Sequence, residues 1–149
     1  MNRMTTIMAT WFGSGLSPVA PGTAGTLAAI PFYLLLYRLP LASYLLTVTA
    51  FTFFACWIAG RAEILYGAKD PGKIVIDEVA GFMVTMIAVP CSAATVTAGF
   101  LLFRLFDIIK PFPARQIDRK LKNGYGVVLD DIVAGIYACL ALHVAARFL

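Results

Sequence analysis

Four stretches of the chain, residues 4–37, 39–60, 79–103 and 132–146, contain no aspartate, glutamate, lysine or arginine. A helix that crosses the hydrocarbon of a bilayer needs roughly 20 such positions in a row, because no water is present there to solvate a charge. Residues 39–60 meet that requirement alone. The composition agrees: 60% of residues are apolar and 13% charged, against about 45–50% and about 25% in soluble domains. The pattern predicts an all-α, multi-pass helical membrane bundle. With 149 residues there is room for one shared interior, so residues 1–149 are expected to form a single domain.

Turn chemistry divides the apolar runs. Residues 24–37 read as a helix interrupted by Pro31, residues 38–40 as a turn and residues 41–60 as a long helix. The segment RAEILYGAKDPGK at 61–73 is polar and ends on a turn signal. Residues 74–109 are too long for one helix. A break at Pro90 gives arms 74–89 and 92–109 and returns both basic connectors to one side, as the cytoplasmic side of a membrane requires. Residues 110–126 form a second polar connector and residues 130–149 the last helix. About five apolar helices result, some short or broken. The first twelve residues resemble a signal peptide only superficially, and are expected to be retained.

Several chemistries are disfavoured at once. The net charge of +4 is concentrated between Arg104 and Lys122, which suits anionic headgroups or phosphate, and no nucleic-acid motif is visible. Cys56, Cys91 and Cys139 sit in apolar segments without zinc-type spacing and are expected to be buried small hydrophobes. The one histidine, His143, lies on an apolar helix with no acid one turn away, so a buried or helix-contact role is expected. No Cys-x5-Arg or Asp-x-Asp-x-Thr motif is present, which leaves metal-assisted attack by water as the route for phosphate chemistry.

The acids are few and their placement is informative. DEVAG at 77–81 and DIVAG at 131–135 each set an acid one helical turn before a glycine, on the same face. Ala-Gly pairs allow close helix approach in lipid, which would bring Asp77 and Asp131 together with Glu78 and Asp130 alongside. Such acids repel unless a cation holds them, and hard oxygen ligands suit Mg²⁺. The alternative is that each aspartate caps a helix. In FDIIKPFPARQIDR at 106–119, Asp107 and Lys110 stand one turn apart, and Arg115, Asp118 and Arg119 share a face if the chain turns helical after Pro113. Lys120 and Lys122 read as interfacial lysines.

The uncharged stretch GSGLSPVAPGTAGTL at 13–27 is either a flexible helix breaker or a backbone nest whose N–H groups hold phosphate oxygens. It lacks the lysine of a nucleotide-binding loop.

GLSPVAPGTAGTL, IDEVAG, FDIIKPFPARQID and GYGVVLDDIVAG, in this order between residues 13 and 135, resemble the phosphatidylglycerophosphatase A family of bacterial inner-membrane lipid phosphatases. The resemblance implies Mg²⁺-dependent hydrolysis of phosphatidylglycerophosphate to phosphatidylglycerol and phosphate at a site facing the cytoplasm. On that likeness Asp77, Glu78, Asp107 and Asp131 are the expected catalytic residues, and Asp77, Glu78, Asp107, Asp130 and Asp131 the expected ligands of one or two Mg²⁺. Lys110, Arg115 and Arg119 would neutralise the monoester, while Gly22, Thr23, Gly25 and Thr26 would offer N–H and hydroxyl donors to it. Three rivals remain: a small channel or transporter with residues 13–26 as a re-entrant loop, a buried helical bundle in water, and a CDP-alcohol transferase, whose Asp-x2-Asp-Gly-x2-Ala-Arg spacing is absent. The sequence does not fix an oligomeric state.

Overall fold

The computed structural model describes residues 2–121 and 123–149, so Lys122 of the basic cluster lies outside the described residues. Every regular element among them is helical: α1 (Asn2–Ala9), a single 3₁₀ turn (Ser14–Leu16), α2 (Pro21–Leu36), α3 (Leu41–Tyr66), α4 (Ile76–Thr85), α5 (Ala93–Ile109), α6 (Ala114–Lys120) and α7 (Gly124–Ala145).

The boundaries move for local reasons. Helix α2 starts at Pro21 rather than Ala24, because a proline at the first helical position has its φ preset and no needed N–H. PGTAGT is therefore helix, not loop. Helix α3 runs past Gly60 to Tyr66 and stops at Gly67, whose φ of 65° is the left-handed cap that glycine adopts most easily. Helix α5 begins behind Ser92, whose hydroxyl accepts from the Thr95 amide while the Thr95 hydroxyl accepts from the Ser92 amide. Helix α6 supplies the expected turn after Pro113. Helix α7 begins behind Asn123, whose side chain caps the Tyr125 amide. Asp130 and Asp131 thus lie inside α7 and cap nothing, and α4 is entered from Val75 with no side-chain cap.

Two helices, α3 with 26 residues and α7 with 22, are long and apolar enough to cross a membrane. The expectation of about five apolar membrane helices is met only in part: α2 and α5 are shorter, with 16 and 17 residues, and α4, with 10, is about 15 Å long and does not cross. The most apolar window of α3 is only 28% buried. Leu46, Phe53 and Trp57 on α3, like Leu140 and Val144 on α7, are exposed, whereas the core helix of a water-soluble bundle would hide such side chains.

Helix α4 occupies the centre. All of its residues but Glu78 are buried, and α7, α2, α3 and α5 close around it. Its closest neighbour is α7, and the reason is visible in two glycines. A Cβ on Gly81 would stand 2.8 Å from the Asp131 carbonyl and run into the Phe103 ring, and one on Gly135 would run into the Gly81 carbonyl. Helix α1 packs on α3, and the Ala9 carbonyl just before α4 accepts the Val75 amide at 2.8 Å. Trp11 locks the same corner through a 3.0 Å bond from its indole N–H to the Ala28 carbonyl. Cys56 is buried as expected, but Cys91 is exposed at the α4–α5 turn, where the chain has left the core. The first turns of α2 and α4, the second turn of α7 and the C-terminal turns of α3 and α5 consequently gather at one end of the bundle.

Candidate active site

That end holds a cavity of about 240 Å³. Helix α2 contributes Gly22, α4 contributes Asp77 and Glu78, α5 contributes Arg104 and Asp107, and α7 contributes Asp130 and Asp131; the connectors add Asp70 and Lys110. Three non-glycine residues on its wall, Ala20, Asp70 and Lys110, have left-handed backbones with φ of 46°, 43° and 48°. That region is sparsely populated by L-residues; three other non-glycine residues, Trp11, Phe12 and Ala88, adopt it away from the cavity.

One carboxylate oxygen from each of Asp77, Glu78 and Asp131 lies within 4.8 Å of the others. Asp77 is 7% exposed and Asp131 3%. Asp77 Oδ1, Glu78 Oε2 and Asp131 Oδ2 are buried with no hydrogen-bond partner among the described residues. Burial, then the charges of Glu78 and Asp131, pushes the Asp77 carboxyl well above the usual carboxylate range. Burial raises Glu78 to about 7, with Asp107 adding to the rise and Arg104 opposing it. Unpartnered, converging oxygens of this kind fit a divalent cation: the donors are hard and their mutual repulsion is what the cation removes.

Asp107 and Asp130 are engaged differently. Asp107 pairs with Arg104, one turn earlier on α5, and the same guanidinium reaches Glu78 Oε1 at 3.8 Å. Asp130 Oδ2 accepts from Lys110 Nζ at 2.5 Å, and Lys110 also stands 3.4 Å from Asp118 Oδ2. Lys69 meets the other Asp118 oxygen at 3.6 Å, so alternating charges lead from α7 to the surface. Burial works to lower the Lys110 ammonium, but the Asp130 hydrogen bond and the nearby carboxylates outweigh it and raise it above its usual value.

Of the residues expected to bind substrate, Gly22 and Lys110 reach the cavity. Thr23, Gly25 and Thr26 do not line it, because the segment is already helical: Gly25 faces the Val75 side chain, and the Thr26 hydroxyl is spent on the Gly22 carbonyl at 2.9 Å. Arg115 is exposed and donates to the Ile109 carbonyl at 3.1 Å, and Arg119 lines a separate surface cleft with Gly67, Lys69 and Asn123. His143 is exposed and not buried; its Nδ1 lies 2.9 Å from the carbonyl of Cys139 in its own helix. Two residues the sequence reading did not single out are present instead, Arg104 and Asp70. Arg104 had a signal: it is the single charge between Glu78 and Asp107, and an arginine in so apolar a run must find partners inside the fold.

Residues 7–146 match the family described as phosphatidylglycerophosphatase A. The phosphatidylglycerophosphatase A of Escherichia coli K12 is 41% identical over 138 residues, covering 92% of this chain and 80% of that protein. That of Haemophilus influenzae is 41% identical over 138 residues, covering 91% and 85%. A Bacteroides thetaiotaomicron protein, named provisionally as a phosphatidylinositol-3-phosphatase, is 42% identical over 147 residues, covering 93% and 91%. No solved structure matches the chain. With nearly its whole length accounted for in this way, the chain belongs to the phosphatidylglycerophosphatase A family.

Proposed function

We propose that the protein is a membrane phosphomonoesterase that hydrolyses phosphatidylglycerophosphate to phosphatidylglycerol and inorganic phosphate, a step in glycerophospholipid synthesis. The observation that carries this reading is the convergence of Asp77, Glu78 and Asp131, each with a buried, unpartnered carboxylate oxygen, in a cavity also lined by the cationic side chains of Arg104 and Lys110. Family membership supplies the lipid substrate. A channel or transporter is less well supported, since the acids collect at one end of the bundle instead of following its length.

Asp77, Glu78 and Asp131 would hold Mg²⁺, with Asp107 and Asp130 beside them fixing Arg104 and Lys110. When bound, the ion supplies a Lewis acid for phosphoryl oxygens and acidifies a water. The protein's part is to hold the monoester in line with that water. The water oxygen bonds to phosphorus as the bond to the glycerol oxygen breaks, and a proton ends on the glycerol oxygen. The protein acts in the bacterial inner membrane with α3 and α7 crossing it, α2 and α5 partly embedded and α4 internal. The cavity then opens to the cytoplasm, because the connectors at that end carry Lys69, Lys73, Arg115 and Lys120.

The test is phosphate release by purified protein in detergent, with and without Mg²⁺. Phosphatidylglycerophosphate is compared with phosphatidylinositol 3-phosphate and a water-soluble phosphomonoester. Turnover of the first and its loss on chelation are expected. Asp131→Asn should cut turnover by about 100-fold or more while the protein remains folded in detergent; near-normal turnover would remove the carboxylate centre from the chemistry.

A further inference from the structure

Resting on the phosphomonoesterase reading, we infer that Arg104 is the residue that grips the phosphoryl oxygens, opposite the Asp77–Glu78–Asp131 centre, and that Lys110 serves Asp130 instead. A phosphomonoester brings two negative charges into a cavity already lined by carboxylates, so at least one cation has to be free to meet it. The cavity offers Arg104 and Lys110. The Lys110 ammonium is taken up by Asp130 at 2.5 Å and Asp118 at 3.4 Å, on the side that leads to the surface.

Arg104 is differently placed. Asp107 holds its Nη1, which leaves the rest of the planar fork oriented but uncommitted: Nε is buried without a hydrogen-bond partner and Nη2 enters none of the described hydrogen bonds. Its reach to Glu78 is 3.8 Å, too long for a hydrogen bond, and Glu78 belongs to the carboxylate trio. The guanidinium is therefore adjacent to the cation-binding oxygens without being neutralised by them at contact. A planar fork anchored at Nη1 by Asp107, which lines the same cavity, suits two oxygens of one phosphoryl group through its remaining N–H groups, and a lysine cannot reproduce it.

Gly22 is part of how the guanidinium is held in place. A Cβ there would stand 3.0 Å from Arg104 Nη1 and 3.2 Å from Nη2, and would collide with the Glu78 carboxylate. The first turn of α2 therefore packs against the Arg104–Glu78 pair, and any side chain at residue 22 would push the guanidinium and the Glu78 carboxylate out of place. The uncharged start of α2 matters here for what it omits.

The experiment compares the full-length protein with Arg104→Lys, which keeps the charge and Asp107's partner, and with the double variant Arg104→Gln/Asp107→Asn, which leaves no unpaired carboxylate. Three quantities are read: kcat/KM for the lipid monoester, the Mg²⁺ concentration giving half-maximal rate, and the rise in unfolding temperature caused by inorganic phosphate with Mg²⁺ present. For both variants kcat/KM is expected to fall by about 100-fold, with the phosphate-induced stabilisation lost and the Mg²⁺ requirement within about twofold of the parent. A shifted Mg²⁺ requirement with phosphate stabilisation intact would overturn the inference and make Arg104 a support of Glu78. So would near-parental kcat/KM in Arg104→Lys, or parent protein that inorganic phosphate does not stabilise. If the parent turns over no lipid monoester yet phosphate stabilises it and not the variants, the grip on phosphate stands and the phosphatase reading fails.

Discussion

At the scale of single residues, the cavity is a set of charges each of which depends on one neighbour. Lys110→Met would leave the Asp130 carboxylate buried with neither oxygen partnered, a defect that costs about 3 kcal/mol when a buried pair is broken on one side. Unfolding in detergent should show it, and adding Asp130→Asn should recover part of the loss. Gly135→Ala would drive a Cβ into the Gly81 carbonyl; it should cost about 1–3 kcal/mol and lower turnover by prising Asp131 from Asp77. Gly67→Ala is the control, strained by its φ of 65° but with open space around it. It should destabilise by about 1–2 kcal/mol and leave turnover alone. Asp77, Glu78 and Asp131 were legible in the sequence because acid and glycine repeat at one-turn spacing in two segments. The Thr26 hydroxyl is not legible in this way, because nothing in PGTAGT says whether it will turn outward or back onto its own helix. Arg104 is only half legible, because Asp107 lies one turn away on its own helix while Glu78 comes from another.

At the scale of elements, the division of labour follows the two ends of the bundle. The Ser92 capping box belongs to the end away from the cavity. Ser92→Ala should reduce stability by about 1 kcal/mol with kcat and KM unchanged, measured by unfolding and by phosphate release from the same preparation. The break before Pro90 and the helix after Pro113 were readable from the constraint proline puts on the backbone, but the interruption expected at Pro31 is absent, because α2 runs through it from Pro21 to Leu36. The early end of α4 was not. Residues 82–89 are apolar except for Thr85, and the helix ends there, three residues before Ala88 takes a φ of 56° and the chain bends toward α5, a choice made by packing rather than by any local signal. The same blindness hid the start of α7. Placing it at Asp130 makes the two aspartates caps, whereas its true start at Gly124 makes them interior residues of a helix that needs no help from them.

At the scale of the whole molecule, the carboxylate centre sets the conditions under which the fold is most stable. Glu78 has a folded value of about 7 against 4.5 for the free side chain. A carboxyl raised in this way stabilises the fold fully below pH 4.5, and the contribution disappears as pH rises through about 7. Protein kept in chelator should therefore unfold at progressively lower temperature between those two values. Added Mg²⁺ should raise the unfolding temperature more at pH 8 than at pH 5; equal increments would argue against an ion among these acids. The exposed leucines and aromatics of α3 and α7, set beside a cavity at one end of the same helices, have a further consequence. A lipid can present its headgroup by sliding sideways while its tails never leave their own leaflet. The enzyme then encounters substrate in two dimensions, and in mixed micelles its rate should follow the mole fraction of substrate at the surface, falling when inert detergent is added at constant total lipid.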